Sequence, residues 1–376
     1  MNKDIPPRNR DEKAAVFLVA GLFVFFLVQA IKKGVMREHG NDLTIYLYAS
    51  DVFFKGNNPY GIEWGLLYPL FTAFIVEPLN FLPVWAAHMV WYSASFLLLV
   101  ASLKYSEERI NGRDVNRLLL LGTFVFFFGQ LQSNFRNGQI NIIVLAAIVA
   151  FVVFLKGGRP WTASFFLAAG ISIKLAPVVL IVFLLVNRMF GIILKTFFWV
   201  AVMVFVLPWM VAGGKIVAYY SAYAGVLGAS LPDVSTAGNG EWFPAVRTAC
   251  SLAGLLVAVL CHLAINRRNG GPSYGPFYFY LPILPLAFGN RMEPHYLIWL
   301  IPVILAIGHS VFLRPMGVAA DRGLMFAFAA LAALSNMANQ MEAPSLFLAY
   351  QLVVFVMAVF WAFSRSGRPA PVGAEL

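Results

Sequence analysis

Charge is what this 376-residue chain has least of: Asp, Glu, Lys and Arg together make up 12% of it. A soluble domain carries about a quarter, so most of the surface here has to face something other than water. Cysteine is nearly absent. Cys250 and Cys261 are the only two, and on one helix their spacing corresponds to about 16 Å of axial rise, beyond the reach of a disulfide. Redox chemistry and a zinc site therefore find no support. There is no Gly-rich phosphate loop, no GK[ST] string and no nucleotide-binding βαβ pattern, which argues against a soluble nucleotide donor. No internal repeat stands out, which weakens transporter architectures built from repeats.

What the chain does have is hydrophobic residues, 60% of the total, with a mean hydropathy of +0.77. The apolar runs recur along the whole length, bounded by Pro, Gly or charge, and several approach the roughly 20 residues that cross a bilayer as a helix. The expected fold is an all-α, polytopic integral membrane protein forming one domain. It comprises a first, uncleaved span at 14–31, a long outer loop at 32–65, a helical bundle over 66–363 and a cytoplasmic tail at 364–376. About twelve crossings are expected. The net charge of +10 is dispersed over short loops, which reads as topological signal rather than as a nucleic-acid footprint.

Loop charge predicts the orientation. Segments 1–13, 156–160, 188–195, 266–271, 314–322 and 364–368 each carry at least two Lys or Arg, whereas 132–140, 213–242, 289–295 and 341–344 carry one or none. Both termini are then cytoplasmic. One loop conflicts with this pattern. Residues 104–117 carry four basic residues, yet crossings at both 66–82 and 84–103 would put them outside. Either 66–82 does not cross fully, or the loop breaks the charge rule. In the first outer loop, Leu43, Tyr46, Leu47, Phe53 and Phe54 mark one face of a helix expected to lie along the membrane surface. Short apolar segments joined at Lys174–Pro177 suggest a pair that dips into the membrane beside a cavity.

Several polar residues interrupt this apolar background. Asp42 opens the surface helix and suits either an N-cap or a general base for an acceptor hydroxyl. Lys174, between two apolar runs, either snorkels to the headgroups or neutralises a phosphate within the membrane. His295, flanked by Arg291 and Glu293, is a structural histidine or part of a phosphate or sugar site. The run from Asn134 to Asn141 offers Gln139 and Asn141 amides for sugar hydroxyls and Arg136 for a phosphate, or else serves as a helix cap and turn. Tyr60 belongs to a turn-forming string, Asn57-Asn58-Pro59-Tyr60-Gly61.

These strings, taken in order, resemble glycosyltransferase family 87, a group of membrane enzymes with the GT-C fold. The strings are Asp42-Leu-Thr-Ile-Tyr46 with Asn57-Asn-Pro59-Tyr60, Tyr68-Pro69 through Leu82-Pro83, Gly138-Gln139-Ile-Asn141, Lys174-Leu-Ala-Pro177 and Pro294-His295-Tyr296. The resemblance implies a polyprenyl-phosphate sugar as donor, typically mannose, and a lipid or glycan acceptor. It implies no cofactor and no metal, and it implies catalysis on the extracytoplasmic face of the inner membrane. Asp42 then takes the place of the family's acidic base. Lys174, Arg136, Arg291 and His295 are expected to hold the donor phosphate, with Gln139, Asn141, Tyr46, Tyr60 and Glu293 toward sugar or acceptor. A flippase or transporter of lipid-linked saccharide and an O-antigen-type polymerase are the rival classes.

Overall fold

The computed structural model describes residues 9–35, 41–62, 66–112, 114, 117–230, 242–287, 294–312 and 344–365. All regular elements among them are helical: α1 (Asn9–Val35), α2 (Asp42–Phe54), α3 (Phe71–Val76), α4 (Val84–Tyr105), α5 (Arg117–Phe126), α6 (Phe128–Asn137), α7 (Asn141–Lys156), α8 (Pro160–Ile173), α9 (Leu180–Val186), α10 (Phe190–Ala201), α11 (Leu207–Ala212), α12 (Ile216–Ser230), α13 (Trp242–Arg268), α14 (Phe277–Tyr280), α15 (Leu284–Ala287), α16 (Ile301–Phe312) and α17 (Pro344–Arg365), with short 3-10 and π turns between some of them. The expected span at 323–340 lies outside the described residues.

The outer faces of this bundle are apolar. Phe17, Leu194, Met210, Val217 and Leu252, on α1, α10, α11, α12 and α13, are each more than 60% exposed. Water does not tolerate such surfaces at this density, whereas lipid does. Three helical runs among the described residues, Val84–Ile110, Phe190–Leu227 and Thr248–Arg268, are long and apolar enough to cross a bilayer. The α6–α7 pair meets the same measure as one span bent by 113°. The chain is an integral membrane protein.

Hydrogen bonds sort the loops into two ends. At one end Lys156 Nζ donates to the Ile110 carbonyl at 2.8 Å. Tyr278 bridges Ser106 and Asn111, each at 3.1 Å. Two residues past Tyr278, Tyr280 lies 3.0 Å from His262 Nδ1, and His262 Nε2 lies 3.2 Å from Asn187, which accepts from Asn266 at 3.0 Å. The basic stretches around 104–112, 156–160, 187–189 and 266–273 thus share one end. This resolves the conflict over 104–117. Residues 66–82 do not cross, because α3 has only six residues and runs into a 3-10 turn, Glu77–Phe81. Pro78 and Pro83 stop any longer helix there.

That turn folds back onto α2. Ser50 Oγ bonds the Glu77 carboxylate at 2.6 Å and the Ala73 carbonyl at 2.9 Å, and Asn80 reaches the Leu47 carbonyl at 3.1 Å. The apolar face of α2 is therefore buried against α3, with Leu43, Tyr46, Leu47 and Phe53 inside. It does not rest on lipid, as its amphipathic pattern suggests; Phe54 is half-buried, and Tyr48 is 55% exposed. The tyrosines of 213–242 join this end too. Tyr219 donates to the Gly56 carbonyl at 2.7 Å, and Tyr223 packs on Tyr60 with ring centroids 5.0 Å apart.

A labelling experiment tests this sorting. With cysteines placed singly at Asn57, Gly112 and Gly157, a membrane-impermeant thiol reagent applied from outside intact cells is expected to modify only the first. The last two should react together, and only after permeabilisation. Labelling of Gly112 with Asn57 would contradict the two-end arrangement.

Candidate functional site

The site forms where two broken helices meet α2. α6 ends at Asn137, and Gly138 takes the left-handed conformation at φ +66 before the chain turns into α7. α8 ends at Ile173, its cap residue Lys174 is extended at φ −149, and the chain resumes as a 3-10 turn over Ala176–Val179. Breaks at membrane depth are tolerated where protein or a cavity satisfies the freed backbone groups. Here Trp91 Nε1 donates to the Gly138 carbonyl at 3.1 Å, Trp299 Nε1 to the Asn141 carbonyl at 3.0 Å and Thr72 to the Ile173 carbonyl at 3.3 Å.

Asp42 is the first residue of α2 but not its cap. Asn41 holds that position, with its Oδ1 accepting from Leu43 N–H at 2.9 Å. The capping alternative for Asp42 is thereby answered: the preceding residue does that work. The Asp42 carboxylate instead accepts from the Gln139 amide, Nε2 to Oδ2. Asn41 also reaches the Arg136 carbonyl at 3.5 Å, so the α6–α7 elbow and the start of α2 grip each other from both sides.

Two residues beyond Gln139, Asn141 Oδ1 accepts from Lys174 Nζ at 2.9 Å. Lys174 is only 7% exposed, which rules out the snorkelling alternative. Its ammonium sits 4.1 Å from the Tyr296 ring centroid and 5.3 Å from those of Tyr68 and Trp299. All three lie within the roughly 6 Å over which a cation is drawn to a ring face, worth about 2 kcal/mol or more when desolvated. The cage and Asn141 surround the Lys174 amine with groups suited to an ammonium.

Tyr46 lies near Asp42 and against the cage residue Tyr68. It is buried, meets Tyr68 edge-on at 5.5 Å between centroids, and feels Asp42 and Tyr296 electrostatically. Burial first, then Tyr68 and Asp42, push its phenol well above the ordinary value. It stays protonated and is available as a donor.

The remaining candidates distribute as follows. The Arg136 side chain is exposed at this same end, and its backbone rather than its guanidinium touches the Asn41 cap. Tyr60 is buried and spends its hydroxyl on the Tyr68 carbonyl at 3.0 Å; it supports the loop that carries Tyr68. His295 belongs by its backbone to the 3-10 turn Pro294–Leu300, directly before the cage residue Tyr296, and its side chain is outside what is described. Arg291 and Glu293 lie outside the described residues. Sequence reasoning misses Trp299 and Trp91. Their indole donors fix the elbow, but two tryptophans among nine in an aromatic-rich chain carry no signal of their own.

A helical membrane bundle with a carboxylate and a caged lysine at one end defines a class, and comparison with known proteins names it. The sequence profile of glycosyltransferase family 87 matches residues 66–269, and the chain belongs to that family. Gln139, Asn141 and Lys174 fall inside the matched region, and Asp42 lies just ahead of it. A polyprenol-phosphate-mannose-dependent alpha-(1-2)-phosphatidylinositol pentamannoside mannosyltransferase of Mycolicibacterium smegmatis is 23% identical over 256 residues, 65% of this chain and 61% of that protein. A polyprenol-phosphate-mannose-dependent alpha-(1-2)-phosphatidylinositol mannoside mannosyltransferase of Mycobacterium tuberculosis is 25% identical over 156 residues, 38% of this chain and 36% of that protein. The chain thus spans less than two thirds of the length of the relatives it matches. Among solved structures, the crystal structure of ArnT from Cupriavidus metallidurans bound to undecaprenyl phosphate aligns over 92% of this chain and 76% of that one, at 12% identity and a TM-score of 0.40. A likeness at that level carries no argument about individual residues.

Proposed function

We infer that this protein transfers a sugar, with mannose the first candidate, from a polyprenyl-phosphate donor to a hydroxyl of a lipid or glycan acceptor. The observation that carries this reading is the pairing made across one helix break: Gln139 holds Asp42, and two residues on Asn141 holds Lys174. A base and a cation are thus fixed to the same elbow. The acceptor O–H gives its proton to Asp42 while its oxygen bonds to the anomeric carbon, the bond from that carbon to the phosphate oxygen breaks, and polyprenyl phosphate departs beside Lys174. Starting from a β-linked donor, inversion yields an α-glycoside. The mycobacterial relatives are described as mannosyltransferases that depend on polyprenol phosphate mannose, which supports this donor class. The loop charges support placing the site on the extracytoplasmic side of an inner membrane.

A second feature suits a lipid donor. An apolar cavity of about 750 Å³ begins at Phe71 and Ile173, next to Lys174, and follows α7 from Ile143 to Gly157 between α4 and α8. That length of helix is about 21 Å. An isoprenoid chain whose phosphate sits at Lys174 has a path into the bilayer along it.

Purified protein in detergent or nanodiscs, given labelled polyprenyl-phosphate mannose and a panel of glycolipid acceptors, is expected to release polyprenyl phosphate and label an acceptor. Lys174→Met keeps the aliphatic length in the aromatic cage and removes the charge. Its donor KM is expected to rise on the order of tenfold or more, the loss of about one charge-assisted contact, with the fold retained. No release from any polyprenyl-phosphate sugar in the panel would defeat the reading, as would an unaltered donor KM in Lys174→Met.

A further inference from the structure

Beside the Gln139–Asp42 hydrogen bond lies a small, partly enclosed cavity of about 10 Å³, walled in part by Trp91, Tyr92 and Phe135. His88 and Ser95 of α4, seven residues apart and so on one helix face, line it from one side, and Asn134 of α6 and Gln139 of the elbow line it from the other. All four are at least nine-tenths buried, at 2%, 1%, 1% and 5% exposure. Among the described residues, His88 Nε2, Ser95 Oγ, both polar atoms of the Asn134 amide and Gln139 Oε1 have no hydrogen-bond partner. An unsatisfied buried polar atom is costly, and five of them on the residues around one space call for a common partner. The space is about the size of one water, which needs roughly 10–15 Å³ and two to four polar partners.

We propose that this cavity is a water site that orients the base, with His88 and Asn134 as positioning residues for Asp42. The proposal rests on the reading of Asp42 as the general base. A primary amide is two-faced: Gln139 helps Asp42 only while its NH2 faces the carboxylate, and its carbonyl then faces the cavity. Rotated by half a turn, it would set Oε1 against the carboxylate. A water held by Asn134, His88 and Ser95 donates to Gln139 Oε1 and locks the productive orientation. The neighbouring wall is already rigid, because Trp91, one helical turn from His88, is bonded to the Gly138 carbonyl.

Two readouts test this. In a structure at a resolution that shows waters, an ordered water is expected within hydrogen-bond distance of Gln139 Oε1 and the Asn134 amide; side chains repacked to fill the space would overturn the proposal. In kinetics, His88→Phe and Asn134→Leu, which fill the cavity without donors, are expected to lower kcat about 10- to 100-fold with donor KM within about twofold, since a misoriented base costs rate rather than binding. His88→Gln, which keeps polar hydrogen-bonding capacity, should recover most of the loss. Wild-type kcat in both apolar variants would overturn the proposal. So would a loss that appears equally in KM, or one that His88→Gln does not recover. Full transfer by Asp42→Asn would sink the base assignment while leaving the water itself, read in the structure alone, in place.

Discussion

Asp42→Asn is expected to fold, to bind the polyprenyl-phosphate donor with unaltered affinity and to transfer sugar at roughly 10²- to 10⁴-fold lower rate, the usual cost of losing a general base. The structure makes this substitution unusually clean. The α2 cap is Asn41, so nothing at position 42 is needed to start the helix. The Gln139 amide that donates to Asp42 finds an amide oxygen in its place, which still accepts, without the charge assistance. Volume, cap and hydrogen bond all persist, while the negative charge and with it the capacity to take a proton are lost. Single-turnover transfer and donor binding by the same preparation separate the two effects. Near wild-type transfer by a folded Asp42→Asn protein would remove Asp42 from the chemistry.

The polar members of this site were legible in the sequence for an energetic reason. A lysine or a pair of amides amid apolar residues is costly to insert, so Lys174, Gln139 and Asn141 announce themselves by position. Asp42 was legible as a carboxylate outside the first span, but its role was not. Asn and Asp cap helices about equally well, and a string reading Asn41-Asp42 does not say which one does so. The cage around Lys174 was hidden because its walls are aromatic in a chain with 35 Phe, 14 Tyr and 9 Trp; only distance distinguishes Tyr68, Tyr296 and Trp299 from the rest. Residues 66–82 were misleading for the opposite reason. Their hydropathy suits a span, while Pro69, Pro78 and Pro83 divide it into pieces too short to cross. His88 is the one histidine of α4 and shares an i, i+7 face with Ser95 and Ser102, a signal that sequence reasoning could have used.

What holds these parts together is the elbow Gly138–Asn141. Gln139 and Asn141 fix Asp42 and Lys174, and the carbonyls of Gly138 and Asn141 accept from the indoles of Trp91 and Trp299. α4, α6, α7, α8 and the 3-10 turn before α16 are thereby joined to α2 through four consecutive residues. Activity should therefore be more sensitive to the elbow's backbone than to most side chains around it.

Gly138→Ala tests that directly. A Cβ at Gly138 would come within 2.7 Å of Leu43 Cβ and 2.8 Å of Asn41 Oδ1, both closer than real contacts allow. Neither neighbour yields cheaply. Leu43 Cβ is fixed to the α2 backbone, and Asn41 Oδ1 is the cap itself, whose loss costs about 0.5–2 kcal/mol. The left-handed backbone adds about 1–2 kcal/mol for any residue with a Cβ. Gly158 provides the control, since it has the same φ of +66 and a Cβ added there would meet nothing within 4 Å. Gly158→Ala carries the backbone strain alone and is expected to keep transfer within about twofold. Gly138→Ala pushes the start of α2 away from the elbow, and a displacement of about 1 Å at a base can cost roughly 10²-fold. Its kcat is expected to fall by about that factor, with a lower melting temperature than the Gly158 variant, while Lys174, held from α8 and its aromatic cage, still binds donor. Equal behaviour of the two alanine variants would mean that the close approach of the elbow to α2 does not set the position of Asp42.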